Sequence, residues 1–246
     1  MMQCVILAGG LGTRMRPFTE KAPKTLLPVA DVPFAHYQLG WLARHGVTEV
    51  VYCIGHLGEQ VRDFVGDGSR WGLAARYVED GPELAGTAGA LRRAYDAGEL
   101  REWFLVLYGD SFLPFDFRRL AHAFLEQTRP ALMTVYRNQG RWGAGNVRFA
   151  GGVVRLYQKP RKGEPPLLGM DYIDYGVSAF RREVITGRVA RGEQKDLAEV
   201  CHRLSVEGRL AGLEVTERFY EVGSPAGLRD FEAWTVEHPE QAWASR

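Results

Sequence analysis

The first half of the chain alternates short apolar runs with amphipathic segments, and this alternation restricts the fold more than any other feature. Continuous apolar strands joined by amphipathic helices are typical of a parallel sheet with helices on both faces. Glycines near the ends of the helical segments are ordinary stop signals. The predicted strands are Cys4–Ala8, Glu49–Ile54, Ala74–Val78 and Trp103–Tyr108, and the predicted helices are Phe34–His45, Gly58–Phe64 and Thr87–Ala94.

The pattern changes after Arg137, where the segments become shorter and richer in glycine. The alternating segments Asn146–Phe149 and Val153–Gln158 predict a β-hairpin, and Lys159–Pro166 predicts a polar loop. We therefore predict an α/β fold, a Rossmann-like three-layer sandwich with a mixed, mostly parallel central sheet and a small hairpin excursion. We interpret residues 1–246 as one domain with two parts, 1–137 and 138–246. The other predicted elements are helices Phe115–Glu126, Asp196–Ser205 and Pro225–Glu237, and strands Ala131–Tyr136, Asp171–Phe180, Leu210–Val215 and Phe219–Val222.

Composition argues against several classes of protein. Thirty-one basic and 30 acidic residues give a net charge of +1, so no overall basic field favours nucleic acid. The apolar runs are strand-sized and too short to span a membrane, and no secretory leader is evident. The three cysteines are widely spaced, which argues against a disulfide framework or a zinc site. We expect a cytoplasmic protein with no nucleic-acid or membrane partner, and a homo-oligomer stays open.

A glycine-rich loop directly follows the first strand. It reads Gly9-Gly10-Leu11-Gly12-Thr13-Arg14, and Lys24 follows ten residues after Arg14. Bare backbone N–H groups at a strand end suit a triphosphate, and two cations suit the charge that develops when a phosphoryl bond breaks. A dinucleotide fingerprint is disfavoured because Met15 stands where its third glycine belongs. A Walker loop is excluded because no Gly-Lys-Ser/Thr closes this one, and a simple turn would need neither cation.

These motifs resemble those of the sugar-phosphate nucleotidylyltransferases, a family with a Gly-Gly-x-Gly-Thr-Arg loop followed by Pro-Lys, here Pro23-Lys24. The resemblance covers nearly the whole chain and is closest to the heptose 1-phosphate and mannose 1-phosphate guanylyltransferase branch. It implies that Arg14 and Lys24 are catalytic cations on the triphosphate. It also implies that the first strand and loop bind the nucleotide, through Leu7, Gly9, Gly10, Gly12 and Thr13.

A second glycine-containing segment follows the third predicted strand. The resemblance implies that Gly86, Thr87 and Ala88 pack against the nucleobase, whereas the residues alone equally allow a helix N-cap at Thr87. Glu79, just beyond the same strand, gives a further hypothesis. Its carboxylate would accept hydrogen bonds from guanine N1 and N2.

Asp110 follows a strongly apolar strand, in Tyr108-Gly109-Asp110. A carboxylate at the carboxyl end of a parallel strand faces the ligand crevice, and cleavage of a triphosphate needs Mg²⁺ on one or two carboxylates. The resemblance implies that Asp110 is catalytic as a metal ligand. It also implies a second metal ligand before Gly223-Ser224, where Glu221 replaces the family's Asp and adds a methylene. The alternatives are a capping Asp110 and a solvated edge Glu221.

The acceptor residues are also implied by the resemblance. Lys159, in Gln158-Lys159-Pro160, would hold the sugar phosphate at the place where the family often has Glu-Lys-Pro. The hairpin excursion then lies on this acceptor side. The remaining residues predicted to line the sugar pocket are Asn146, Asp174, Tyr175 and Gly176.

The resemblance implies Mg²⁺-dependent transfer of a nucleoside monophosphate from a triphosphate to a sugar 1-phosphate, with release of pyrophosphate. GTP with heptose or mannose 1-phosphate fits best, and thymidylyl, uridylyl, adenylyl and cytidylyl transfer stay open. A rival interpretation is a non-catalytic sensor subunit on the same scaffold. Loss of Arg14, Lys24 or Asp110 would have favoured it, and all three are present.

Overall fold

The computed structural model describes residues 1–81, 84–159 and 167–242. The predicted loop Lys159–Pro166 therefore lies outside the described residues from position 160 on. The strands are β1 Met2–Ala8, β2 Pro28–Val29, β3 Val32–Pro33, β4 Val47–Ile54, β5 Ala74–Glu79, β6 Trp103–Tyr108, β7 Ser111–Phe112, β8 Ala131–Arg137, β9 Val147–Ala150, β10 Val153–Tyr157, β11 Tyr172–Arg181, β12 Leu210–Val215 and β13 Tyr220–Glu221. The helices are α1 Phe34–Arg44, α2 Gly58–Val65, α3 Gly86–Asp96, α4 Phe117–Leu125, α5 Arg182–Arg188, α6 Leu197–Val206, α7 Pro225–Glu237 and α8 Pro239–Ala242.

One nine-stranded sheet has the order β5-β4-β1-β6-β11-β8-β12-β10-β9. The α/β class and the mixed sheet are confirmed, but the prediction of a mostly parallel sheet is wrong. Only β5–β4, β4–β1, β1–β6 and β12–β8 pair in parallel among the described strands. Strand β11 lies antiparallel between β6 and β8. The physical reason is that a parallel return needs a long crossover, whereas β8 and β11 are joined through the antiparallel β9–β10 pair.

Helices cover both faces of this sheet. Strand β1 shows the division, because Cys4 and Ile6 belong to one buried apolar cluster and Val5 to another. The first cluster receives side chains from α1, α2, α4 and α7, and the second from α3, α5 and α6. The sheet also runs across residue 137, the boundary between the two predicted parts, because β8 pairs with both β11 and β12.

Helix α5 is the main element that the sequence pattern did not predict. Val184, Ile185 and Thr186 are β-branched, and Gly187 follows them, so the local helix propensity is low. The helix forms because Val184 and Ile185 are buried against the sheet. Burial of apolar side chains commonly overrides weak propensity.

Two predicted exclusions can be compared with the structure. Among the described helices, none combines the length and the apolar character that crossing a membrane requires. All three cysteines are buried and unpaired.

Candidate active site

A cleft of about 230 Å³ opens where β1, β4, β5 and β6 end. All four strands are mutually parallel, so their carboxyl ends meet at one edge of the sheet, where open α/β sheets bind ligands. The cleft brings together predicted residues from three separate stretches of the chain. Its lining residues are Leu7, Ala8, Gly9, Gly10, Lys24, Thr25, Cys53, Asp80, Leu84, Gly86, Thr87, Ala90, Tyr108, Gly109 and Asp110.

The glycine-rich loop folds back on the segment that carries Lys24. Gly12 has a φ of +62°, and its carbonyl accepts a hydrogen bond of 2.8 Å from the Thr19 hydroxyl. A 3₁₀ turn, Thr13–Met15, follows instead of an α-helix, which is the geometry expected with Pro17 two residues on. Thr13 and Arg14 are exposed, and neither belongs to the lining of the cleft.

Lys24 and Asp110 form an ion pair at the cleft, with 2.9 Å between Lys24 Nζ and Asp110 Oδ2. Neighbouring backbone contacts fix the chain on both sides of Asp110. Gln38 Nε2 donates to the carbonyls of Tyr108 and Ser111, at 3.0 and 2.7 Å. The Lys24–Asp110 ion pair joins residues that are 86 positions apart, so spacing in the sequence does not predict it.

Three charged side chains converge beside Gly223. A side-chain carbon at Gly223 would lie 3.0 Å from Asp110 Oδ2, 3.4 Å from Glu221 Oε2 and 3.4 Å from Arg14 Nη2. The β7–β13 pair creates this approach, because Glu221 stands opposite Ser111 and the Val222 N–H donates to the Asp110 carbonyl at 2.8 Å. Absence of a side chain at Gly223 leaves the space among these groups open.

Asp110 and Glu221 fit a magnesium ion that shares its shell with phosphates. Their two carboxylate oxygens lie within 3.4 Å of one point. Among residues 1–81, 84–159 and 167–242, no group of three or more His, Cys, Asp or Glu side chains forms a closed metal cage. Mg²⁺ commonly takes only one or two carboxylates and completes its octahedron with water and substrate phosphates.

The predicted nucleotide contact of Glu79 needs correction. Glu79 is exposed and pairs with Arg62 of α2 at 2.7 Å, outside the lining of the cleft. Strand β5 extends to Glu79, so alternation turns that side chain to the α2 face and the following residue, Asp80, to the cleft. Asp80 is the residue that the sequence analysis missed. Continuing the in-and-out alternation by two positions beyond Val78 would have found it.

The Gly86-Thr87-Ala88 segment is partly as predicted. Gly86 and Thr87 line the cleft, but the Thr87 hydroxyl already donates to Asp196 Oδ1 at 2.9 Å and accepts from the Leu197 N–H at 2.7 Å. Ala88 is fully buried in the second cluster, so its predicted contact with the nucleotide is wrong. The phase of α3 turns Ala88 toward the sheet.

Asp196 connects the cleft to a second cavity of about 410 Å³. Its Oδ1 binds Thr87, and its Oδ2 pairs with Lys159 Nζ at 2.8 Å. The Ala198 N–H donates to Oδ1 as well, which makes Asp196 the N-cap of α6. Asp196 with Glu199 three residues on is a helix-start signal that could have indicated this position. The second cavity is lined by Gln158, Lys159, Asp196, Ala198, Glu199, His202 and Arg203.

Strand β11 separates the predicted sugar residues onto two faces. Asp174 and Gly176 line a small pocket beside Tyr157, and burial raises the pKa of the Asp174 carboxyl to about 6. The Gly176 N–H donates to Asp174 Oδ1 at 3.0 Å, and Asn146 Oδ1 accepts from the Asp174 N–H at 2.9 Å.

Tyr175 cannot have the predicted sugar contact. Its side chain is 2% exposed and lies on the other face of the sheet. There it stacks on Tyr136 and packs edge-on against Phe115 and Phe219. Because neighbouring residues of a strand point to opposite faces of the sheet, Tyr175 lies on the face opposite to Asp174.

The chain matches known proteins over most of its length. A family model for nucleotidyl transferases matches residues 3–235. The chain is 31% identical to the N-acetylmuramate alpha-1-phosphate uridylyltransferase of Neisseria meningitidis serogroup B, over 94% of this chain and 97% of that protein. It is 28% identical to the D-glycero-alpha-D-manno-heptose 1-phosphate guanylyltransferase of Campylobacter jejuni, over 70% of this chain and 75% of that protein.

The fold also has a counterpart among solved structures. A crystal structure from Bacillus anthracis, described as a glucose-1-phosphate thymidylyltransferase, superposes with a TM-score of 0.78 at 22% identity and covers 95% of each chain. At this identity the similarity concerns the fold alone. Together with the family match, it agrees with the prediction made from the loops. The chain therefore belongs to the nucleotidyl transferase family.

Proposed function

We propose that this protein transfers a nucleoside monophosphate from a nucleoside triphosphate to a sugar 1-phosphate and releases pyrophosphate. The observation that carries the proposal is the convergence of Arg14, Asp110 and Glu221 beside Gly223, next to the Lys24–Asp110 ion pair. Two cations and two carboxylates gather where the cleft opens toward the glycine-rich loop. Such an arrangement suits a polyphosphate together with its counter-ion.

The chemistry needs no general base, because the sugar phosphate is already anionic. One of its oxygens attacks the α-phosphorus in line, and the bond from that phosphorus to the pyrophosphate oxygen breaks. Arg14 and Lys24 stabilise the charge on the departing pyrophosphate. Catalysis then consists of positioning and charge neutralisation.

Asp110 and Glu221 would hold Mg²⁺, which neutralises phosphate charge and orients the triphosphate when it is bound. Lys24 contacts the same Asp110 oxygen that faces Gly223. We therefore expect the Lys24 ammonium to leave Asp110 and bind the phosphates when the triphosphate enters. The Asp110 carboxylate would then pair with Lys24 before the triphosphate binds and with Mg²⁺ afterwards.

For the substrates, we propose GTP as donor and heptose or mannose 1-phosphate as acceptor. Lys159 would bind the acceptor phosphate, and the half-buried Asp174, with Asn146 and Gly176 beside it, would bind sugar hydroxyls. Thymidylyl, uridylyl, adenylyl and cytidylyl transfer are the alternatives within the family. A triphosphate sensor without turnover is the alternative outside it.

Replacing Asp110 by Asn tests the proposal. We expect turnover to fall about 100-fold or more, the size of effect seen when a group that stabilises a transition state is removed. Circular dichroism and thermal unfolding should match those of the wild type, and triphosphate binding should persist. Asp63→Asn, an exposed carboxylate on α2, is the matched control and should leave turnover unchanged. Full turnover in Asp110→Asn would contradict the proposed metal ligand.

A further inference from the structure

A carboxylate with no partner among the described residues opens on the cleft at the end away from the metal ligands. Asp80 follows β5 and Asp110 follows β6, and the strands β4 and β1 lie between them in the sheet. The Asp80 N–H donates to the Ile54 carbonyl at 2.8 Å, which extends the β4–β5 ladder and fixes the position of the residue. The residue is 6% exposed, and its side chain lines the cleft.

The described surroundings of Asp80 provide no hydrogen-bond donor to its oxygens. Among the described residues, no side chain or backbone N–H forms a hydrogen bond or an ion pair with its carboxylate. Arg93 attracts it only at longer range, and burial raises the pKa of the carboxyl. A side-chain carbon at Gly9 would lie 2.2 Å from Asp80 Oδ2, so this oxygen occupies space that any other residue at position 9 would fill.

The rest of this end of the cleft is apolar or already engaged. Cys53, Leu84 and Ala90 give it apolar walls. The Thr87 hydroxyl is committed to Asp196 and to the backbone of Leu197. Among the described residues that line this end of the cleft, Asp80 is therefore a polar side chain without a hydrogen-bond partner. It lies beside apolar walls between which a flat ring would fit. An unpaired buried carboxylate is costly, and donors from a ligand would offset that cost.

A carboxylate only accepts hydrogen bonds, so the nucleobases can be compared by their edges. Guanine presents N1–H and N2–H₂ side by side, which matches the two oxygens of one carboxylate. Adenine and cytosine place a ring-nitrogen acceptor next to their amino group. Uracil and thymine flank their N3–H with two carbonyls. Only guanine therefore avoids placing an acceptor against the carboxylate while both oxygens are satisfied.

We infer that Asp80 is the residue that selects guanine, by accepting hydrogen bonds from its N1–H and 2-amino groups. The inference rests on the proposed function for the identity of the ligand as a nucleoside triphosphate. It replaces the Glu79 hypothesis, because Glu79 points to the other face of the sheet and pairs with Arg62.

Equilibrium binding of GTP and of inosine triphosphate, which lacks the 2-amino group, tests the inference directly. The wild type should bind GTP about 10- to 100-fold more tightly, the size of one hydrogen bond to a charged group, because only the 2-amino contact is lost. Asp80→Asn should bring the ratio to within about threefold. Glu79→Gln, one position away, should leave the ratio as in the wild type.

Two results would overturn the inference. One is a folded Asp80→Asn protein that still prefers GTP to the inosine nucleotide as the wild type does. The other is a wild type that binds UTP, dTTP, ATP or CTP more tightly than GTP, which decides the matter even if the variant does not fold.

The proposed function is judged separately, by formation of a nucleotide sugar. Selective GTP binding through Asp80 without any product would contradict transfer and leave the inference standing. Formation of a uridylyl or thymidylyl sugar by a protein that does not use GTP would support transfer and contradict the inference about Asp80.

Discussion

Replacing Asp174 by Asn should stabilise the fold at neutral pH while impairing use of the sugar phosphate. Asp174 is half-buried on β11, and burial raises the pKa of its carboxyl from 3.8 to about 6. The Gly176 N–H donates to Oδ1 at 3.0 Å, a contact that the amide oxygen of Asn can keep. The substitution therefore removes the charge and preserves the local geometry.

The size of the effect follows from the pKa. One pKa unit corresponds to ~1.4 kcal/mol, so keeping Asp174 ionised in the folded state costs about 3 kcal/mol at pH 7.5. A carboxyl whose folded pKa is raised destabilises the fold above that pKa, and the penalty disappears as pH falls below the unfolded value of 3.8. Because the titration window runs from 3.8 to about 6, roughly half of the penalty should remain at pH 5.

Urea unfolding of the wild type and Asp174→Asn at pH 7.5 and pH 5 measures this difference. The variant should gain up to about 3 kcal/mol in the free energy of unfolding at pH 7.5 and roughly half of that at pH 5. Asp171→Asn, an exposed carboxylate three residues earlier, is the matched control and should change neither value. An equal gain at both pH values, or a loss at pH 7.5, would show that the buried Asp174 charge does not destabilise the fold. In the assay of transfer, we expect a higher KM for the sugar 1-phosphate and an unchanged KM for the triphosphate.

Three further substitutions test the geometry of the site, with Gly187→Ala as their control. Gly223→Ala places a methyl 3.0 Å from Asp110 Oδ2 and should lower turnover about 10-fold or more, with a higher Mg²⁺ requirement in a metal titration. Gly9→Ala places its methyl 2.2 Å from Asp80 Oδ2 and should weaken triphosphate binding in calorimetry. Gly187→Ala in α5, where a methyl meets nothing within 4 Å, should leave both quantities unchanged. Lys159→Ala should raise the KM for the sugar 1-phosphate about 10-fold. A change in the KM for the triphosphate alone would indicate that Lys159 binds the triphosphate instead.

Local pattern was sufficient to predict the parallel half of the fold. Apolar runs such as Cys4–Ala8 and Trp103–Tyr108 are buried on both faces, so they appear in sequence as continuous strands. The same sequence patterns predicted where those strands end, and therefore the position of the cleft that contains Gly9, Lys24 and Asp110. It did not show that β11 enters between β6 and β8, because that order depends on pairing between distant segments.

The wrong predictions at the site assign side chains to the wrong face of a strand. Glu79 and Asp80 lie on opposite sides of β5, as do Asp174 and Tyr175 on β11, and the β11–β8 register shifts between Asp174 and Ser178. A shift of one residue exchanges cleft for core. In β5 the alternation that continues from Val78 indicates the phase, whereas the register shift in β11 has no sign in the sequence. The approach of Glu221 to Asp110 was likewise implied only by resemblance, since it depends on the short β7–β13 pair.

Pyrophosphate release with Mg²⁺ tests transfer of a nucleoside monophosphate to a sugar 1-phosphate most simply. GTP, ATP, UTP, CTP and dTTP would each be tested against hexose, hexosamine and heptose 1-phosphates. We expect release that requires both substrates, is strongest with GTP and a heptose or mannose 1-phosphate, and is lost in Asp110→Asn. Absence of release from every pair, by a folded protein that binds a triphosphate, would exclude transfer to these acceptors and favour a sensor.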